Sequence, residues 1–256
     1  MNNSEKHSKS KELYEFSEFK TNTSGYCTVV EYNNFNDVVV KFSNTGNSVR
    51  TSICKLKQGK VKDYSAPSVY GVGVLGKNFK RGSKDDKTYQ LWADMLERCY
   101  SEKLHKKHPT YQTCKVSDKF KDYEHFTEWC HSQIGFNNDN WTLDKDLLIK
   151  GNKIYSEDTC CFIPQELNKV LVKSDKIRGD NLIGVYYCKQ KRKYKATLSV
   201  SGKTTSLGHY NTELEAFIAY KGGKESHIKS LANKWKDQID TRVYEALMNW
   251  TIEITD

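Results

Sequence analysis

Six basic side chains, Lys189, Lys191, Arg192, Lys193, Lys195 and Lys203, lie between Asn181 and Asn211, a stretch with no acidic residue. Cations crowded without counter-charges repel one another, and a polyanion such as a phosphate backbone relieves that repulsion. The plainer alternative is a small surface sheet with solvated lysines. Other chemistries find less support. Cys99, His105, His108 and Cys114 lie near one another, as do Cys130 with His131 and Cys160 with Cys161. Structural zinc takes its ligands in pairs about two to four residues apart. Only His105 and His108 have that spacing, so buried thiols beside a solvated His/Lys loop are the better reading. There is no Walker loop, no HExxH and no arguable Ser-His-Asp order. The Gly71-Val72-Gly73 run is not a dinucleotide fingerprint, because no helix follows closely and the third glycine is misplaced.

The basic residues need a scaffold, and the surrounding pattern supplies one. Three short alternating runs, Gly184–Cys188, Tyr194–Val200 and Thr204–Tyr210, are separated by the turns Gln190–Lys193 and Ser201–Lys203. Alternation at period two with turns between predicts a three-stranded antiparallel meander. After Asn211 the period lengthens to that of a helix. Leu214, Phe217, Ile218 and Tyr220, with Ala216 and Ala219, form its expected apolar face, and Thr212 or Asn211 its N-cap. One helix backs one sheet face and leaves the other open, carrying the lysines.

These residues resemble the AP2 DNA-binding domain over Asn181 to Lys229. The resemblance lies in a Gly-Val-Tyr start, a Tyr-Lys-Ala second strand, a Leu-Gly-x-Tyr-x-Thr corner and an Ala- and aromatic-bearing helix. It implies a sheet docked in the major groove of double-stranded DNA, with contacts from Tyr187, Lys189, Arg192, Lys193 and Lys195. The family's reading strands are rich in Arg and Trp, whereas here they hold Lys and Tyr. Lysine is a point charge without the bidentate fork that reads guanine, so the sheet is expected to hold DNA more than read it.

Upstream, a strand from Trp141 to Leu148, a turn at Lys150–Lys153, a second strand from Cys160 to Ile163 and a helix opened by Pro164 follow in order. Strand, loop, strand, helix is the order of a ββα finger. With Trp92, Met95, Arg98, Cys99, Tyr100, Tyr111, Phe120, Phe126, Trp129, Asp144, Asp146, Gly151, Tyr155, Cys160 and Asn168, the segment is similar to phage HNH-type (His-Me finger) endonucleases of the homing kind. Many of these also carry an AP2-like domain. The resemblance implies Mg2+ or Mn2+, with Asp144 as a metal ligand and Asn168 as its partner on the helix. The family's histidine falls at Lys145 or Asp146 and is absent. Three options stay open: Lys145 as a base after burial depresses its pKa, Asp144 and Asp146 as a metal-binding pair, or loss of catalysis. The alternative for Asp144, Lys145 and Asp146 is a charged strand end with a local ion pair. For Asn168 it is a capping or surface residue, and Asn152 reads as a turn residue.

The chain has 256 residues, a net charge of +9 and 37% hydrophobic content with 16 tyrosines, which suits several small cores and a polyanionic partner. The expected fold class is α+β. Its parts are a disordered or loosely helical leader (1–22), an antiparallel β-meander (23–62), a linker (63–86), an HNH-like ββα nuclease domain (87–174), an AP2-like sheet-plus-helix domain (175–235) and a helical tail (236–256). Residues 173–181 read as an interdomain linker, and the helical periods at 88–100 and 119–134 as a packed pair. No apolar run approaches the roughly 20 residues that span a bilayer, and no secretion signal opens the chain. Eight scattered cysteines then read as reduced thiols in a cytoplasm, a bacterial one if a phage encodes the protein.

Overall fold

A computed structural model describes residues 3–79, 86–171, 181–200 and 202–255. The chain forms two compact units, residues 1–112 with 116–127, and residues 113–115 with 128–256. Helices and small antiparallel sheets make the fold α+β.

In the first unit α1 (Asn3–Tyr14) precedes a four-stranded sheet of β1 (Glu18–Lys20), β2 (Tyr26–Asn34), β3 (Asp37–Phe42) and β4 (Ser48–Thr51), in that order. Cys27 and Val29 face the core, and a register shift after Val29 lets Tyr32 rejoin them. Val38, Val40 and Phe42 line the same core, closed by Ile53 and Leu56 of α2 (Ile53–Lys57). Of the two expectations for the leader, α1 agrees with the helical one, and the disordered one is corrected here. Tyr14 and Phe19 pack on this core, and Glu18, Phe19 and Lys20 pair with Thr28, Cys27 and Tyr26. Two aromatic anchors outweigh a polar average composition.

The expected linker 63–86 is likewise packed where it is described, although residues 80–85 lie outside the described residues. Buried Asp63 accepts hydrogen bonds from Asn47 Nδ2 at 3.0 Å and Ser65 N–H at 2.9 Å. A hairpin of β5 (Pro67–Val69) and β6 (Gly73–Val74) follows, and Asn78 N–H donates to Glu124 at 2.7 Å. Asp86 caps α3 (Lys87–Tyr100), which leads to α4 (Glu102–Lys107). Trp92 of α3 donates Nε1–H to Phe120 O at 2.8 Å and lies 5.3 Å from the ring of Tyr123, at the start of α5 (Tyr123–Ser132). The expected pairing of these two helical segments is thus made through aromatic rings.

The second unit takes Lys115 of β7 (Lys115–Val116), whose N–H donates to Lys153 O at 2.8 Å. Then come β8 (Trp141–Asp144), β9 (Ile154–Tyr155), β10 (Cys161–Pro164) and α6 (Gln165–Leu171). After them come β11 (Val185–Cys188), β12 (Lys193–Val200), β13 (Lys203–Tyr210), α7 (Glu213–Trp235) and α8 (Thr241–Met248). β8 and β10 pair antiparallel, Asp144 opposite Cys161 and Thr142 opposite Ile163, and α6 follows directly. β11, β12 and β13 form the expected meander, backed by α7. Thr212 is the N-cap, in a capping box with Glu215.

One apolar core runs through this unit. Leu147, Cys161, Ile163 and Leu167 share it with Val185, Ala196, Phe217, Tyr220, Ile228, Val243, Leu247 and Ile252. The division into separate nuclease (87–174), AP2-like (175–235) and tail (236–256) parts is therefore corrected. Residues 87–112 and 116–127 belong to the first unit, and the finger strands, the basic sheet and α8 share a core in the second. The expected linker over 173–181 lies outside the described residues except for Asn181. Leu214 and Ile218, assigned to the buried helix face, are 53% and 59% exposed. The other expected residues Ala216, Phe217 and Tyr220 are buried, because the inward stripe is set by the sheet's Ala196 and Leu198. Among the described residues no helix is long and apolar enough to cross a membrane.

Candidate functional site

The basic sheet is built by register. Ala196 and Leu198 face α7, so Lys193, Lys195, Thr197 and Ser199 alternate onto the opposite face, free among the described residues. Tyr186 of β11 and His209 of β13 stand directly opposite Lys195 on either side, and Cys188 stands opposite Lys193. The row Tyr186–Lys195–His209 crosses all three strands, with Lys195 Nζ 5.5 Å from the Tyr186 ring centre. Lys189, Lys191 and Arg192 form the turn between β11 and β12 and are exposed. Arg192 holds φ 53°, a left-handed conformation that costs a non-glycine residue energy. The tip is closed by Lys191 N–H to Cys188 O at 3.2 Å and Arg192 N–H to Lys189 O at 3.4 Å.

Two residues expected to contact DNA stand on the other side of the sheet. Tyr187 stands opposite Tyr194, which stands opposite Tyr210, and these share the α7 side of the sheet. The Tyr187 and Tyr194 rings meet edge to face at 5.2 Å. Tyr186, and not Tyr187, therefore stands on the free face beside Lys195. Counting alternation inward from the buried Val185 would have found it. Lys203 stands opposite Val200, again on the α7 side, because a register shift after Ala196 changes which β13 residues face outward. His209 was not singled out, and its signal is its place opposite Lys195. Its pKa is lowered, first by partial desolvation and then by Lys191, Lys195 and Lys193.

In the central segment the structure brings some expected residues together and gives them other work. Asp144 Oδ1 accepts the N–H groups of Asp146 at 2.9 Å and Leu147 at 2.7 Å. This turn ends β8 four residues before the expected strand end at Leu148. Burial, then the neighbouring Asp146 charge, raises the Asp144 pKa above its ordinary value, against the pull of the two N–H groups and Lys145. Lys145 is buried, pairs with Asp146 Oδ2 at 3.1 Å and lies 5.7 Å from the Tyr155 ring centre. Asn152 Nδ2 donates to Lys145 O and Ile154 O, both at 2.7 Å, which is the expected turn role. Asn168 of α6 reaches β8, donating Nδ2–H to Thr142 Oγ1 at 3.3 Å. Thr142 and Asp144 share one face of β8 by alternation, so Asp144 and Asn168 border the same side of the strand pair.

These residues fit a resident Mg2+ or Mn2+ poorly. Asp144 Oδ1 is engaged by backbone donors, and a lysine ammonium already occupies Asp146. Among the described residues no three His, Cys, Asp or Glu side chains group as a metal site. Cys99, Cys114, Cys130, Cys160 and Cys161 are buried, and burial pushes the Cys160 thiol up to about 12. One cation nearby was not legible in sequence. Arg242 of α8 forks onto Asp240, through Nε at 3.1 Å and Nη2 at 2.8 Å. It also lies in electrostatic range of Asp158 and Cys161. No pattern links it to a strand some eighty residues upstream.

No family model, no curated protein and no solved structure matches this chain.

Proposed function

We propose that this chain binds double-stranded DNA through the free face of β11–β13 and the basic turn at its tip. The observation that carries the reading is a sheet sealed on one side by α7 and lined on the other by Lys193 and Lys195. The acid-free stretch from Asn181 to Thr212 supports it. A small twisted sheet fits a major groove about 12 Å wide, and lysines at its tip and centre meet phosphates on the flanking strands. Lys193, Lys195 and Tyr186 offer charge and a flat ring without a bidentate fork, which Arg192 alone among the named residues carries at the tip, so affinity outweighs sequence reading. Titration of a mixed-sequence duplex with the full chain tests this. The logarithm of affinity should fall linearly with the logarithm of salt concentration. Weak binding that ignores salt would contradict it.

A second reading is DNA cleavage of the HNH homing type, in a phage or mobile-element setting within a bacterial cytoplasm. It is favoured by the strand, strand, helix order of β8, β10 and α6 and by Asp144 and Asn168 bordering one face. It stands second because the family's histidine is absent and the Asp144 and Asp146 carboxylates each already hold a partner through one oxygen. Incubating the chain with plasmid DNA and added Mg2+ or Mn2+ decides it. Nicking that Asp144→Asn abolishes supports cleavage, and intact plasmid with both metals removes it.

A further inference from the structure

We propose that His209 contacts a DNA backbone phosphate and takes up a proton as it does so, making the grip of the basic face pH-dependent. The inference rests on the DNA-binding reading and adds a residue and a regulation to it. His209 lies on the edge strand β13, opposite Lys195, so its imidazole occupies the rim of the free face. Strand β12 sets Lys193 and Lys195 toward it, the turn adds Lys191, and beyond them lie Tyr186 and Cys188 of β11. Among the described residues no strand flanks β13 on its other side, and α7 packs on the opposite face. Among the described residues, the charged groups that act on His209 are thus cations, Lys191, Lys195 and Lys193.

In the free protein those cations disfavour a further positive charge, and the lowered pKa of His209 has this cause after desolvation. An imidazole is neutral under such conditions near neutral pH. A phosphate on the same face reverses the field, because its charge offsets the lysines and its oxygen accepts a hydrogen bond from imidazolium. The pKa of His209 is then higher in the complex than in the free chain. The sign follows directly: bound protein holds the proton over a pH range where free protein has released it. Affinity therefore rises as pH falls through that range, by up to about tenfold per pH unit for one proton.

The test is duplex binding by the full chain and its His209→Gln variant, from about pH 5 to pH 8 at constant ionic strength. A parallel NMR titration follows the His209 ring in free and DNA-bound protein. The expected result is wild-type affinity that strengthens on acidification, a flatter profile for His209→Gln, and a ring that titrates higher with DNA than without. If wild type and variant bind DNA with the same pH slope, or if the ring titrates identically in both states, the inference falls and the DNA reading stands. If neither protein binds the duplex at any pH, both fall together.

Discussion

At the scale of the residue, Asp144 shows how a side chain with catalytic looks can be occupied by folding. Its carboxylate closes the turn that ends β8, and burial makes its charge costly. A raised acid pKa means the folded state favours the proton. The contribution to stability therefore falls as pH rises from the ordinary 3.8 through the raised value, and the cost is fully present above that value. Asp144→Asn keeps an acceptor for both N–H groups and removes the charge. It should be at least as stable as wild type above the raised value and converge with it in acid. Asp144→Ala leaves the two donors without a partner and should lose about 1–3 kcal/mol. Denaturant unfolding measures both, and an alanine variant as stable as wild type would remove Asp144 from the turn. The acid's place near a strand end was legible in the sequence. Its engagement was not, since it depends on the backbone of Asp146 and Leu147 turning back within reach.

At the scale of the element, the meander, the capped helix and the strand, strand, helix order were all readable, because alternation, turn residues and a Thr-x-x-Glu box are local signals. What was not readable depended on irregularity. Register shifts after Val29 and Ala196 decide which side chains face outward, and no local pattern announces them. The entry to β11 depends on close approach. Gly184 has φ 75°, and a Cβ there would lie 2.1 Å from the Tyr220 ring, on the helix that seals the sheet. Gly223 within α7 gives similar room to Leu207, whose Cδ1 would be 3.0 Å from an added Cβ. Gly184→Ala should cost about 1–3 kcal/mol from backbone strain and a comparable amount from overpacking. A denaturation midpoint unchanged by that substitution would mean the sheet does not sit against α7 as described.

At the scale of the whole molecule, the sequence suggested modules joined by linkers, and the second unit has a shared core instead. Composition could not show this, because the residues that join the finger strands to the basic sheet are Leu147, Cys161, Ile163 and Leu167, four apolar positions in a polar stretch. Polar contacts add to them. Glu166 of α6 accepts from Lys234 Nζ at 2.6 Å and Trp235 Nε1 at 2.9 Å, and Lys150 Nζ donates to Thr251 O at 2.8 Å. A protease site engineered within residues 172–180 should therefore yield two pieces that co-elute and still bind DNA, whereas separation on cutting would contradict the shared core. The central claim concerns the basic sheet, and its most direct test is the salt dependence of duplex binding with Lys191, Arg192 and Lys193 replaced by alanine. These residues sit at the tip and on the first free-face position of β12, away from the core. The account predicts weaker binding and a slope flatter by roughly one unit for each phosphate contact removed. Affinity and slope equal to wild type, in a variant that folds normally, would contradict it.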